Sequence, residues 1–131
     1  MNREPVVVEE SAREWESWPK EEVVARGLVY WKTLLSADVT HSEALTMGIG
    51  KIPPTEALHE HRHQQAEIYL ILQGTGSVRI GGKARPVGAG SAVFIPGNVV
   101  HSCENTGAAD LRFAYVFPAD LFEEVEYVFD E

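Results

Sequence analysis

Short β-prone segments separated by turn residues fill the chain from Gly27 onward, and they restrict what it can fold into. The segments are rich in β-branched and aromatic residues, and glycine, proline or Asn/Thr-Gly clusters separate them. The turn signals stand at residues 74–76, 81–82, 88–90, 96–98 and 105–107. Because no stretch between them has the length of a sheet-covering helix, a parallel βαβ sheet is disfavoured, and the pattern predicts an all-β antiparallel sandwich or barrel.

The first 26 residues have a different texture. We expect residues 1–26 to be an N-terminal extension that packs on a single β domain formed by residues 27–131. Ser11 and Glu14 have the spacing of a capping box, which predicts one or two helical turns in "SAREWESW" before Pro19 interrupts.

Composition excludes several classes of partner. The 131 residues carry a formal net charge of −9, which repels nucleic-acid backbones. No apolar run approaches the roughly 18 residues of a membrane span, and the acidic N-terminus lacks the features of a secretory signal, so we expect a cytoplasmic protein without membrane contact. The single cysteine, Cys103, excludes an intrachain disulfide and a Cys-based zinc cluster.

Three of the five histidines lie in the stretch "HEHRHQQAEIYLILQG", residues 59–74. Because side chains alternate along a strand, His59, His61 and His63 are expected on one face, and Glu67 and Tyr69 continue that parity. If the face is exposed, it is simply a hydrated edge. If it lies inside a barrel, the unpaired imidazoles and carboxylate would cost several kcal/mol each unless they bind one another or an ion. The second arrangement predicts a metal site.

A later stretch, "GSAVFIPGNVVHSCEN", supplies another histidine and completes a recognisable pair of motifs. The residues of the two motifs are His61, His63, Glu67 and Gly74, followed by Gly90, Pro96, His101 and Asn105. This spacing resembles the two motifs of the cupin superfamily. The resemblance implies a double-stranded β-helix, the cupin or jelly-roll barrel, with a metal held by His61, His63, Glu67 and His101.

The motifs depart from the family pattern at two positions. Thr55 and Asn98 stand where the family usually has glycine, although asparagine tolerates left-handed backbone angles better than other non-glycine residues. Imidazole and carboxylate ligands suit a divalent transition metal, namely iron, manganese, nickel, cobalt or zinc.

A narrower likeness concerns the fragments "YWKTLLSAD", "AEIYLILQG" and "LRFAYVFPADLFEEVEY". They resemble the small cupin dimethylsulfoniopropionate (DMSP) lyases. The resemblance implies a metal-dependent β-elimination of DMSP, or of a similar β-substituted carboxylate, to dimethyl sulfide and acrylate. It assigns Tyr69 as the general base and Tyr127 as a second tyrosine that assists at the site.

Other interpretations remain open at this stage. The same metal site could serve an iron-dependent dioxygenase or a polyketide cyclase or isomerase, and a non-catalytic cupin would only bind a small molecule. His59 and Trp31 are candidate substrate-binding residues, and Tyr30 and Phe113 are further candidates for a cation–π contact. We also expect a homodimer, as is common among cupins, with "PVVVEE" or "GLVYWKTLL" as the contact.

Overall fold

The computed structural model describes residues 4–129, and most of its regular structure is β-strand. Residues 1–3 and 130–131, the outer ends of the predicted extension and β domain, lie outside the described residues. The strands in chain order are β1 Glu16–Ser17, β2 Tyr30–Leu35, β3 Thr46–Ile52, β4 Ala57–Arg62, β5 Glu67–Gln73, β6 Thr75–Ile80, β7 Lys83–Gly88, β8 Ala92–Ile95, β9 His101–Asn105, β10 Leu111–Phe117 and β11 Val128–Phe129. The helices are α1 Lys20–Arg26 and two 3-10 turns, Glu10–Ala12 and Phe122–Glu124.

Two antiparallel sheets form the domain. One has the strand order β1-β2-β3-β10-β5-β8, and the other has the order β11-β4-β9-β6-β7. The main hydrophobic core takes residues from both sheets, from Ile52 and Phe117 in the first to Val78 and Cys103 in the second. The predicted all-β jelly-roll is confirmed, as two facing sheets rather than a continuous closed barrel.

Strand β5 shows the alternation that the sequence predicted. Tyr69 and Ile71 are buried, whereas Ile68, Leu70 and Leu72 on the opposite face are 48%, 42% and 44% exposed. The parity expected for the ligand face is therefore confirmed along this strand.

The N-terminal helical segment exists, but most of it lies after the stretch in which the capping box predicted it. Within that stretch Ser11 and Ala12 belong to the 3-10 turn Glu10–Ala12, the chain is extended from Arg13 into β1, and α1 begins after Pro19. Glu21 and Glu22 in its first turn and a basic residue in its last turn suit the helix dipole, and Gly27, with φ of 98°, ends it. Within residues 4–129 no helix is long and apolar enough to cross a membrane.

A bulge in β4 overturns one part of the histidine prediction. Leu58 pairs with Cys103, and His61 pairs with His101. The two pairs are three residues apart on β4 but only two residues apart on β9, so β4 contains one extra residue between them. The extra residue breaks the alternation. Leu58 and His61 are consequently both buried, whereas His59 is exposed, and the expectation that His59 shares the face of His61 is wrong.

Candidate metal centre

Four buried polar side chains meet between the two sheets. His61 and His101 are paired across β4 and β9, His63 follows β4, and Glu67 begins β5. Each is at most 3% exposed. The three histidines place one ring nitrogen each within 4.8 Å of one another. The Oε1 atom of Glu67 lies 3.2 Å from His63 Nε2 and 3.5 Å from His101 Nε2. We call these four residues the His-Glu cluster.

Backbone carbonyls fix the orientation of all three imidazoles. His61 Nδ1–H donates to the His59 carbonyl at 2.8 Å, His63 Nδ1–H to Gln65 at 2.9 Å, and His101 Nδ1–H to Val99 at 2.8 Å. Because a carbonyl oxygen can only accept, each Nδ1 carries a proton, and in the neutral imidazole the Nε2 atom then keeps its lone pair. These contacts therefore fix the tautomer in which Nε2 is the nitrogen that can bind a metal.

The electrostatics of the cluster fit a bound cation. The Nε2 atoms of His61 and His101 are buried and make no hydrogen bond, and His63 Nε2 lies 3.2 Å from Glu67 Oε1. Burial, and secondarily the neighbouring His101, lowers the pKa of His61 to about 3, so a proton does not supply a positive charge on that ring. Two atoms that each bind one ion at about 2.1 Å can be at most about 4.2 Å apart, and the contacts of 3.2 Å and 3.5 Å from Glu67 Oε1 lie within that limit. The cluster therefore has the donor set and the spacing of a divalent metal site.

The two predicted catalytic tyrosines lie beside this cluster. Tyr69 is 1% exposed, and its ring packs against Phe113 with centroids 4.8 Å apart. The Tyr127 ring stacks on His61, with centroids 4.9 Å apart and planes 15° apart. Burial, reinforced by the Glu67 carboxylate, raises the pKa of both phenols well above the ordinary value.

A small cavity of about 30 Å³ connects the cluster to these rings. It is lined by Trp18, Val29, Trp31, Gly50, Leu58, Glu67, Tyr69, Phe113, Tyr115, Phe122 and Tyr127. We call it the aromatic cavity. Room for its rings comes partly from glycine, because a Cβ on Gly50 would lie 2.4 Å from the Phe113 ring.

The remaining candidates divide between the cavity and the outer surface. Trp31 and Phe113 line the cavity, as a substrate contact requires. Tyr30 does not belong to that wall, and its ring instead packs under the Lys51 ammonium at 5.2 Å. His59 lies in a separate surface groove, where its Nδ1–H donates to the Ala25 carbonyl at 3.0 Å.

Two cavity residues were not among the candidates from the sequence. Trp18 comes from the segment between β1 and α1, and Phe122 comes from the second 3-10 turn. Neither belongs to the two cupin motifs, although Phe122 stands within the fragment "LRFAYVFPADLFEEVEY" that resembles the lyases. Only the concentration of aromatic residues near both ends of the chain could have suggested them.

The two residues that stand in place of motif glycines have positive φ angles, the backbone conformation that usually favours glycine. Asn98 has φ of 62° and Thr55 has φ of 70°. The expected tolerance of asparagine for this region is confirmed. Thr55 is the strained case, because left-handed angles are unfavourable for a β-branched residue.

Comparison with known proteins identifies relatives of this architecture. The Cupin domain family model matches residues 48–117. The chain is 39% identical over 103 residues to the dimethylsulfoniopropionate lyase DddW of Ruegeria pomeroyi, covering 79% of this chain and 67% of that protein. It is 38% identical over 92 residues to an oxalate-binding protein of Thermotoga maritima, covering 70% and 76%. The crystal structure of a predicted oxalate decarboxylase from Thermotoga maritima superposes with a TM-score of 0.75 at 33% identity, over 87% of this chain and 99% of that chain.

Proposed function

This chain belongs to the cupin family, and on that premise we propose that it is a metal-dependent lyase. Its substrate is dimethylsulfoniopropionate or a similar β-substituted carboxylate, and Tyr69 is the base. The observation that carries the proposal is the placement of Tyr69 and Tyr127 in one buried cavity with Glu67. The likeness to a dimethylsulfoniopropionate lyase supports the same reaction.

The elimination needs one base and one stabilised carboxylate. The Tyr69 oxygen removes the proton on the carbon next to the substrate carboxylate. The electron pair of that C–H bond becomes the Cα–Cβ double bond, and the Cβ–S bond breaks. Dimethyl sulfide leaves with the bonding pair, and acrylate remains.

The His-Glu cluster would hold the metal that this reaction requires. A divalent ion bound there supplies Lewis-acid stabilisation of the developing negative charge, worth several kcal/mol, and a positive field that favours the Tyr69 phenolate. Tyr69 needs that field, since burial and Glu67 raise its pKa well above the ordinary value. Tyr127 stacks on the His61 ring and closes the same side of the cavity, which excludes water from the base.

The charge of the cavity favours a zwitterionic substrate over an extended dicarboxylate. Of the described residues that line it, Glu67 carries the formal charge, and no lysine or arginine is among them. A second anionic group that extends beyond the His-Glu cluster would therefore be buried without a partner. Because one relative is an oxalate-binding protein, oxalate is the second ligand to test.

Headspace detection of dimethyl sulfide tests the proposal directly. Protein loaded separately with iron, manganese, nickel, cobalt or zinc is given the sulfonium substrate, and its products are compared with those of Tyr69→Phe and Tyr127→Phe. Tyr30→Phe is the matched control, since Tyr30 lies on the outer face against Lys51. Release by wild type and Tyr30→Phe, with loss in Tyr69→Phe, is expected. No release with any of the metals contradicts the lyase, and oxygen uptake or oxalate consumption would identify a different cupin activity.

We also propose that the protein forms a homodimer. The outer face of β5 and β8 exposes Ile68, Leu70, Leu72 and Phe94, and adjoining apolar side chains of this kind mark protein contacts. This face supports the dimer better than the strands first expected. Light scattering should give about twice the 14.5 kDa of one chain, and Leu70→Lys should shift the mass toward one chain.

A further inference from the structure

The N-terminal segment reaches into the aromatic cavity through Trp18. The Trp18 ring packs edge-on against Trp31, with centroids 5.2 Å apart, and lies 6.0 Å from the Tyr127 ring. Phe122 continues the same wall at 5.9 Å from Trp31. Trp18 lies outside the matched residues 48–117, so the generic cupin motifs do not account for it.

Contacts on the outer face of the first sheet hold this segment in place. The Glu10 carboxylate pairs with Arg112 and, at 3.5 Å, with Lys32 Nζ. The Trp15 ring lies under two ammonium groups, with Lys32 Nζ at 4.6 Å and Lys51 Nζ at 4.3 Å from its centroid. The chain is thus fixed on the sheet three residues before Trp18, and this fixes where Trp18 enters the cavity.

The side chains of the wall formed by Trp18, Trp31 and Phe122 are uncharged, although the Arg26 guanidinium, which is not among the residues that line the cavity, lies 5.4 Å from the Trp18 ring centroid. Aromatic faces carry partial negative charge. Such a wall attracts a compact cation that sheds its water, but offers nothing to an anion. Glu67, one member of the His-Glu cluster, is among the residues that line the same cavity. A ligand with a carboxylate at one end and a cation at the other matches both parts.

We propose that Trp18 is a substrate-contacting residue that, with Trp31 and Phe122, selects a compact onium group, either sulfonium or quaternary ammonium, at the end of the substrate remote from its carboxylate. This inference takes from the proposed function only the binding of the substrate carboxylate at the His-Glu cluster. The cavity of about 30 Å³ is smaller than a trimethylated group, so binding must move this wall. The fluorescence of Trp18 should therefore report binding.

Two ligands of the same shape separate charge recognition from size. Zinc-loaded protein is titrated with 3-(trimethylammonio)propionate and with 4,4-dimethylpentanoate, which replaces the cationic nitrogen with carbon, and tryptophan fluorescence and calorimetry report the dissociation constants. We expect the cation to bind about 5- to 30-fold tighter. Trp18→Leu should abolish most of the preference, Trp18→Phe should retain part of it, and the exposed Val24→Ala, in the same segment, should change nothing.

Equal binding of the two ligands, binding of neither, or an unchanged preference in Trp18→Leu would overturn the inference. If Trp18→Leu does not fold by circular dichroism, Trp31→Leu and Trp18→Phe carry the test. The same protein, loaded in turn with each of the five metals and given dimethylsulfoniopropionate in place of the two ligands, is assayed for dimethyl sulfide. A retained preference without release contradicts only the lyase, whereas release without a preference contradicts only the role of Trp18.

Discussion

Metal binding should stabilise the fold, and two neighbouring histidines provide the test. The buried Nε2 atoms of His61 and His101 have no hydrogen-bond partner. An unsatisfied buried polar group costs about 1–3 kcal/mol, and relief of that cost is part of the free energy with which the ion binds. An ion at 100 times its dissociation constant stabilises the folded state by about 2.7 kcal/mol in total. For 131 residues, 1 kcal/mol corresponds to about 3–4 °C in Tm, so reloading should raise Tm by about 10 °C.

The assay is thermal unfolding of chelator-stripped protein, with and without each of the five candidate metals, at saturating concentration. His61→Ala should lose most of the metal-induced shift. His59→Ala is the matched control and should keep it, because the bulge in β4 directs His59 to the surface. The shift, rather than the absolute Tm, is compared, since removal of a buried ring destabilises by itself. An equal shift in both variants, or none in wild type, would refute the assignment.

Three further outcomes follow from individual side chains. Tyr69→Phe should lower dimethyl sulfide release by about 10²- to 10⁴-fold, and elemental analysis should find its metal content unchanged; lost metal would mean a structural role. The folded pKa of His61 is lowered to about 3 from an ordinary 6.5, so the unfolded chain binds more protons between these values and stability is lost as pH falls through that window. Urea unfolding of the metal-free protein should therefore depend on pH more steeply in wild type than in His61→Gln, and parallel profiles would contradict this. Thr55→Asn should relieve the strain at φ of 70° and add about 1 kcal/mol, seen as a higher Tm; an unchanged Tm would show that the strain is not stored.

The burial of Glu67, Tyr69, His61 and His63 was predictable because their signals are local, whereas His101 entered the expected ligand set through the resemblance to the cupin motifs. Glu67 and Tyr69 follow strict alternation within one strand, and the spacing of His61 and His63 obeys the same rule. Asn98 also behaved as its intrinsic preference for left-handed angles predicted. In each case the decisive interaction lies within a few residues of the chain.

The errors arose where a distant partner decides the local structure. Whether His59 is buried or exposed depends on the register of β4 against β9. Leu58 and His61 are three residues apart, but their partners on β9 are only two residues apart. Nothing within β4 itself encodes the extra residue. Likewise, the capping-box spacing of Ser11 and Glu14 favours a helix, but the helical part ends with the 3-10 turn at Ala12, and extended chain from Arg13 lets Trp15 pack on the outer face of the first sheet. Tertiary packing outweighed local propensity.

Under the proposed function, chemistry and selectivity come from different parts of the chain. The matched residues 48–117 contain the whole His-Glu cluster and Tyr69. Identities of 39% to a dimethylsulfoniopropionate lyase and 38% to an oxalate-binding protein do not separate the two activities. Five cavity residues lie outside the matched residues: Val29 and Trp31 at β2, and Trp18, Phe122 and Tyr127 nearer the two chain ends. If substrate choice resides in these chain ends, exchanging Trp18 should alter which carboxylate binds and leave the metal-induced rise in Tm intact.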